Sequence, residues 1–210
     1  MKPFDLSLYL VLDPDLCQRH DMLETARQAV AGGATMVQLR HKLASTDERI
    51  ALGRALMESL RDTPAVVIMN DDVTAAIESG VDGLHIGQGD ISPSLARARI
   101  GAEMILGLSV NTEGAARLVD PAVIDYVGVG PVFATPTKPD HEKPLGFDGL
   151  AKVIAASPVP AVAIGGLKHE HVQRVFAADA DGMAVVSAIC GTPDPRLAAH
   201  ELSERIRAVR

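Results

Sequence analysis

MVQLRHKLASTDERIALGRALMESLRDTPAVVIMNDD, residues 36–72, holds one complete structural repeat of this chain. Its opening run, Met36–Arg40, is short and apolar, as a strand buried on both faces should be. From Thr46 to Arg61, the residues Ile50, Leu52, Leu56, Met57 and Leu60 recur at helical spacing. A second apolar run, Ala65–Asn70, follows and ends on the polar pair Asn70-Asp71. Strand, helix and strand in that order make a parallel crossover unit.

The same alternation extends in both directions from this segment. Further candidate strands are Leu8–Asp13, Gly83–Gly87, Met104–Val110, Tyr126–Phe133, Pro160–Gly166 and Gly182–Ile189. Asp21, Thr46, Asp71 or Asp72, Ser92 and Thr112 stand where helix N-caps belong. Eight strands, each followed by a helix, predict an α/β (β/α)8 TIM barrel. An open doubly wound sheet is the other architecture to weigh. Its first strand–turn–helix would carry a Gly-rich phosphate loop, where this chain has Asp13-Pro14-Asp15. No shift in composition marks a second domain, so residues 1–210 read as one catalytic domain. The polar Ala134–Gly146 connection after strand six is the one long loop, and it reads as an active-site loop.

Composition narrows the class of function. The chain has 210 residues, 47% of them hydrophobic but only 3% aromatic, with no Trp. Val, Ile, Leu and Ala must therefore fill the core. A net charge of −7 argues against nucleic acid or an anionic membrane surface as the partner. It leaves room for a small anionic substrate, because a few cations act at short range. No apolar run approaches the ~20 residues of a membrane span, and the N-terminus lacks a basic-then-apolar signal, so a cytoplasmic protein is expected. Cys17 and Cys190 show no metal-ligand spacing and read as two buried thiols.

In a barrel the chemistry gathers at the C-terminal ends of the strands. Those positions carry Gln38, Arg40 and Lys42, then Asn70-Asp71, then Gly87-Gln88-Gly89-Asp90, then Ser109, and in the long loop Thr135, Thr137 and Lys138. Strand seven ends in Gly165-Gly166 and strand eight in Val186-Ser187. Arg40, Lys42 and Lys138 suit phosphate oxygens, while Asp71 and Asp90 are hard oxygen ligands of the kind that hold Mg²⁺. The Gly-Gly turn and the segment after Val186 suit a phosphate held by backbone N–H groups. Each residue also has an ordinary reading: Asp71 or Asp90 as a helix cap, Arg40 and Lys42 as a solvated strand end, Lys138 as a loop lysine. His85 reads as a packing or supporting group, and His169 and His171 as a surface helix start. The case rests on all these residues falling at strand ends together.

The blocks Gln38-Leu39-Arg40-His41-Lys42, Asn70-Asp71, Gly83–Asp90, Gly107–Val110, Gly130–Lys138, Ile164–Gly166 and Val185–Ile189 resemble the thiamine phosphate synthase family, in order and over essentially the whole chain. That resemblance implies a transferase that joins a hydroxymethylpyrimidine diphosphate to a thiazole phosphate. The products would be thiamine phosphate and pyrophosphate, formed with Mg²⁺. It implies that Gln38, Arg40, Lys42, Asn70, Ser109 and Lys138 bind the pyrimidine diphosphate, with Leu39 and His41 in the same segment. Asp71 and Asp90 would hold Mg²⁺. Thr135, Pro136, Thr137, Gly166, Val186 and Ser187 would receive the thiazole phosphate, and Lys138, Arg40 and Lys42 would be catalytic. His41 departs from the acidic residue common at that place. Two other functions fit the same fold: a thiazole tautomerase-like isomerase of the superfamily, and a non-catalytic thiamine-phosphate-binding regulatory barrel. The isomerase would not need the complete set of Arg40, Lys42, Asp71, Asp90 and Lys138, and release of pyrophosphate from both substrates with Mg²⁺ would separate the synthase from the binding barrel.

Overall fold

A computed structural model describes residues 3–135 and 143–210. Within them eight parallel strands close into one barrel in sequence order. The strands are β1 (Leu8–Leu12), β2 (Met36–Leu39), β3 (Val66–Asn70), β4 (Gly83–Ile86), β5 (Ile105–Val110), β6 (Tyr126–Val129), β7 (Ala161–Ile164) and β8 (Gly182–Val185). The helices that follow them are α1 (Met22–Ala31), α2 (Thr46–Leu60), α3 (Val73–Ser79), α4 (Pro93–Ile100), α5 (Glu113–Arg117), α6 (Gly146–Ala155), α7 (Val172–Phe176) and α8 (Pro195–Arg207). The barrel closes where Leu8, Tyr9 and Leu10 pair with Met183, Ala184 and Val185. The open-sheet alternative is thereby excluded. Among the described residues no helix is long and apolar enough to cross a membrane.

The α2 segment shows why these residues fold as they do. Ser45, one position before the expected Thr46, is the N-cap; its hydroxyl accepts from the Glu48 N–H while the Glu48 carboxylate accepts from the Ser45 N–H. Ile50, Leu56 and Leu60 are buried against the sheet. Asp72, not Asp71, caps α3 by accepting from the Ala75 N–H. Asp71 is thus released from structural capping.

Alternation along each strand divides the apolar residues into two layers. Leu8, Leu10, Leu12, Val37, Leu39, Val67 and Met69 pack outward under the helices. Tyr9, Met36, Val66, Ile68, Ile105, Tyr126, Val162 and Ala184 fill the barrel interior. The two large interior rings need space on neighbouring strands, which glycine supplies. A Cβ on Gly107 would lie 2.2 Å from Tyr126 and 2.5 Å from His85 Nδ1.

Several strands stop earlier than their apolar runs suggest, each for a local reason. β6 ends at Val129, not Phe133, because Pro131 after the cis Gly130–Pro131 bond has no N–H for the ladder. Val132 and Phe133 then donate to Ile164 and Gly165 instead. β8 ends at Val185, not Ile189, because the Val186 carbonyl turns back to accept from Ile189 and Cys190. β7 stops at Ile164 because Gly165 and Gly166 take positive φ values of 104° and 65°.

Substituting Gly107→Ala should cost about 2 kcal/mol or more, since both crowded rings are confined inside the barrel. Gly89→Ala meets nothing within 4 Å and should change stability by less than about 0.5 kcal/mol. Urea unfolding of both variants checks the contrast.

Candidate active site

A hydrogen-bonded chain crosses the floor of the barrel mouth. Gln38 Nε2 donates to the Tyr9 hydroxyl at 2.8 Å, and the Tyr9 and Tyr126 hydroxyls share a bond of 2.9 Å. His85 continues it, with Nδ1 2.9 Å from the Tyr126 hydroxyl and Nε2 2.9 Å from Ser109 Oγ. Burial pushes both phenols above their ordinary range, so they remain protonated and serve as neutral hydrogen-bonding groups. The chain satisfies polar groups that would otherwise be costly inside the barrel, and it orients Ser109 at the exposed end. Gln88 adds a brace by donating to the Ser109 carbonyl at 2.8 Å.

Above this floor, on the β1–β4 side, charges concentrate. Arg40 stands just past β2 and forms an ion pair with Asp13 at 3.0 Å, with both side chains largely buried. Asp71 follows β3 in a left-handed conformation, φ 63°, and its N–H donates to the His85 carbonyl. That backbone state is uncommon for a residue other than glycine and costs free energy that the surroundings must offset. Asp90 closes the turn after β4 by accepting the Gly87 N–H at 2.8 Å. The Asp71 carboxyl is pushed up to about 6, first by burial and then by the Asp90 carboxylate beside it. Asn70 and the Lys42 ammonium oppose that rise, which places both groups at the same carboxylate.

On the opposite side, β6, β7 and β8 build a different surface. Gly165 and Gly166 lie hard against the segment after β6: Cβ atoms there would stand 2.6 Å from Pro131 and 2.8 Å from Phe133. Leu145 and Gly146 donate to the Pro131 and Val132 carbonyls, so both described flanks of the 134–146 loop are pinned at its base. Phe133, Phe147 and His171 cluster in edge-on and tilted contacts, with Phe133 to His171 centroids 4.9 Å apart. His171 Nδ1 also accepts the Lys168 N–H at 3.0 Å. Lys168 Nζ in turn donates to Ser187 Oγ at 2.8 Å. The Glu170 carboxylate lies close enough to feel the Lys168 charge.

The strand-end residues named from the sequence therefore divide in two. Gln38, Arg40, Lys42, Asn70, Asp71, Asp90 and Ser109 gather around the β1–β5 half; Thr135, Gly166, Val186 and Ser187 lie on the β6–β8 half. Pro136, Thr137 and Lys138 lie outside the described residues. The Leu39 side chain is in the outer apolar layer, so only its backbone reaches the mouth. His41 is half-buried with a buried Nδ1 that has no hydrogen-bond partner. His85 is the supporting group it was read as, and His169–His171 form a short 3-10 turn.

Two residues escaped the sequence reading. Asp13 ends the first strand run, and the strand-end rule applied to it would have placed it at the mouth. Lys168, two residues beyond Gly166, carries no motif, and only the Ser187 contact identifies it. Among the described residues no cluster of three or more His, Cys, Asp or Glu side chains could hold a metal alone. Two carboxylates sharing one space, one of them raised by the other, still fit a cation that takes its remaining ligands from a bound phosphate.

Known proteins resemble this chain over nearly its whole length. The family model for thiamine monophosphate synthase matches residues 8–189. The thiamine-phosphate synthase of Solidesulfovibrio magneticus is 48% identical, covering 96% of both chains. That of Laribacter hongkongensis is 45% identical over 96% of this chain and 95% of its own. A solved thiamine phosphate pyrophosphorylase from Pyrococcus furiosus superposes with a TM-score of 0.88 at 33% identity, covering 97% and 96% of the two chains. A 3-hexulose-6-phosphate synthase, 18% identical with a TM-score of 0.71 over 95% and 99% of the two chains, shares the fold.

The Asp71–Asp90 pair makes stability depend on pH. The folded state holds the Asp71 proton up to about pH 6, against an ordinary value of 3.8, so stability is full below 3.8 and falls as pH rises through 6. Asp71→Asn is neutral throughout and keeps a side chain that tolerates positive φ. Metal-free Asp71→Asn should gain in Tm relative to the unaltered protein as pH rises from 4 to 7.5, by about 2–5 °C. A difference in Tm that stays constant over that range would refute the raised Asp71 carboxyl.

Proposed function

The chain belongs to the thiamine monophosphate synthase family, and from that premise we propose how the two halves of its mouth divide the work. The protein is a transferase of the thiamine-phosphate synthase type. The β1–β5 half takes the hydroxymethylpyrimidine diphosphate and the β6–β8 half takes the thiazole phosphate. The observation that carries this reading is the charge balance around Asp71. Among the described residues, Arg40 is paired with Asp13, Lys42 lies near the Asp71 carboxyl with Asp90 beside it, and Arg49, Asp72 and Arg99 line the hollow at Asp71. A diphosphate placed against Asp71 and Asp90 would meet like charge unless a cation stood between them. Asp71 and Asp90 would hold Mg²⁺, which when bound neutralises charge on the departing diphosphate.

The protein groups then have separate tasks. Arg40, held in place by Asp13, offers the unpaired part of its guanidinium fork to the diphosphate oxygens. Lys42 supplies a point charge on the same side. Gln38, Asn70 and Ser109 present neutral polar groups to the pyrimidine, and the His85–Tyr126–Tyr9 chain orients two of these three. As the C–O bond to the diphosphate breaks, a pyrimidine cation forms and the thiazole nitrogen captures it. No strong base is required for that step. Water must be kept away from the cation. Lys138, which with Pro136 and Thr137 lies outside the described residues, would join Arg40 and Lys42 at the diphosphate, while Thr135 and Thr137 would join the thiazole phosphate side.

The thiazole phosphate meets a surface of backbone and one cation. With Val186 O taken by Ile189 and Cys190, the Ser187 and Ala188 N–H groups have no backbone acceptor among the described residues. Gly166 lets the chain approach the anion closely. Lys168 adds the charge that the backbone lacks.

Pyrophosphate release with both substrates and Mg²⁺ tests the reading. Asp90→Asn should lower kcat/KM by about 10²-fold or more, and chelating the metal should abolish turnover. Full activity after chelation would overturn the metal assignment. Lys168→Ala should raise KM for the thiazole phosphate about 10-fold or more, leave kcat within about threefold, and be partly rescued by Lys168→Arg. The same variant should treat the dephosphorylated thiazole alcohol as the unaltered enzyme does. An equal loss on both thiazoles would assign Lys168 to structure.

A further inference from the structure

Cys17 and Cys190 stand 173 residues apart in the chain, yet their sulfurs are 3.2 Å apart. Both are free thiols and both are buried. We propose that this pair is a covalent modification site: oxidation by a hydroperoxide closes it to an intramolecular Cys17–Cys190 disulfide.

The backbone around the pair is already organised for such a link. Cys17 lies in the loop between β1 and α1, and its N–H donates to the Asp13 carbonyl at 3.0 Å. Cys190 lies in the turn after β8, where its N–H donates to the Val186 carbonyl at 2.9 Å. The two loops touch at three places. Besides the sulfurs, His20 Nε2 is 3.1 Å from the Pro193 carbonyl oxygen. Gly191, at φ 77°, also lies so close that a Cβ there would stand 3.0 Å from the Leu16 carbonyl oxygen. A disulfide needs sulfurs about 2.05 Å apart, so closure asks for an approach of about 1 Å between side chains whose loops are already in contact. A cavity of about 410 Å³, lined by Pro14, Cys17, Met22, Leu23 and His41 among others, brings solvent space to Cys17. The neighbouring Cys190 thiol holds Cys17 below the ordinary thiol range, while Cys190 is itself pushed up by Cys17 and by burial. Cys17 lines that cavity and Cys190 does not, so Cys17 is the attacking sulfur.

The chemistry balances in two steps. The Cys17 thiolate attacks the terminal peroxide oxygen; an S–O bond forms, the O–O bond breaks, and hydroxide (from hydrogen peroxide) or alkoxide leaves to be protonated to water or alcohol. Cys190 sulfur then attacks Cys17 sulfur; the S–S bond forms, the S–O bond breaks, and the Cys190 proton leaves with the hydroxide as water. Two thiols lose two electrons together and the hydroperoxide gains them. The link joins the loop that carries Asp13, the partner of Arg40, to the turn that carries Ser187. That it would thereby tie one substrate half of the mouth to the other rests on the functional reading above; the link itself does not.

The full chain is treated with hydrogen peroxide in the folded state, then unfolded, alkylated and weighed. The expected result is a mass about 2 Da lower with no alkylated cysteine, a Cys17–Cys190 linked peptide pair after digestion, and full reversal by dithiothreitol. Tm should rise by roughly 5–10 °C on oxidation, and Cys17→Ser and Cys190→Ser should each abolish the rise. Two alkylated cysteines after treatment, a chain-to-chain disulfide, or sulfinic acid on Cys17 would each overturn the proposal. These readouts do not involve turnover, so they stand or fall separately from the assignment of substrates.

Discussion

Closure of the sheet between β1 and β8 is the constraint on which the rest of this molecule depends. Pairing of Leu8–Leu10 with Met183–Val185 leaves no open edge and turns every odd or even strand position into either lining or outer layer. Once the ring is closed, the lining must fill a fixed volume. The chain meets that demand with branched aliphatics, two tyrosines and one histidine, made possible by glycines such as Gly107. The same closure brings the two ends of the sequence together, so that Asp13 and Ser187, far apart in the chain, serve one mouth.

Filling the interior with Tyr9, Tyr126 and His85 creates a second demand, because their polar atoms cannot be left unbonded away from water. The answer is the chain from Gln38 to Ser109, which has a structural cause and a functional consequence. Gln38 and Ser109, placed on β2 and β5, are held by the same set of bonds that stabilises the core. A substitution within this chain would therefore be felt both in folding and at the mouth, and the two effects share one origin.

The mouth is built from two unlike surfaces. One is made of side-chain charge that is nearly self-cancelling, with Arg40 held by Asp13 and two carboxylates crowding each other near Lys42. The other is made of glycine turns, backbone N–H groups and the Lys168–Ser187 pair. Crowded carboxylates cost the fold stability, and Asp71 further occupies an unfavourable backbone state. Such costs are what sites selected for binding commonly carry, here concentrated in one residue that capping could have satisfied and does not.

The sequence by itself determined the barrel, the order of its strands and the side of the ring on which the polar residues gather. It could do so because alternation of apolar runs and helical periodicity is local information. It also carried the family motifs, and those lie in the same strand-end segments. Only the tertiary structure decided which neighbour each polar residue meets. Asp13 with Arg40, Lys168 with Ser187, and Cys17 with Cys190 are contacts between segments far apart in the chain, and nothing in the spacing of residues encodes them. Strand ends were decided there too. Pro131, the Gly165–Gly166 turn and the returning Val186 carbonyl stop the ladder by backbone geometry, although the apolar pattern continues. Periodicity reports which face of an element is buried, whereas partner identity is set by how the closed ring folds those faces together.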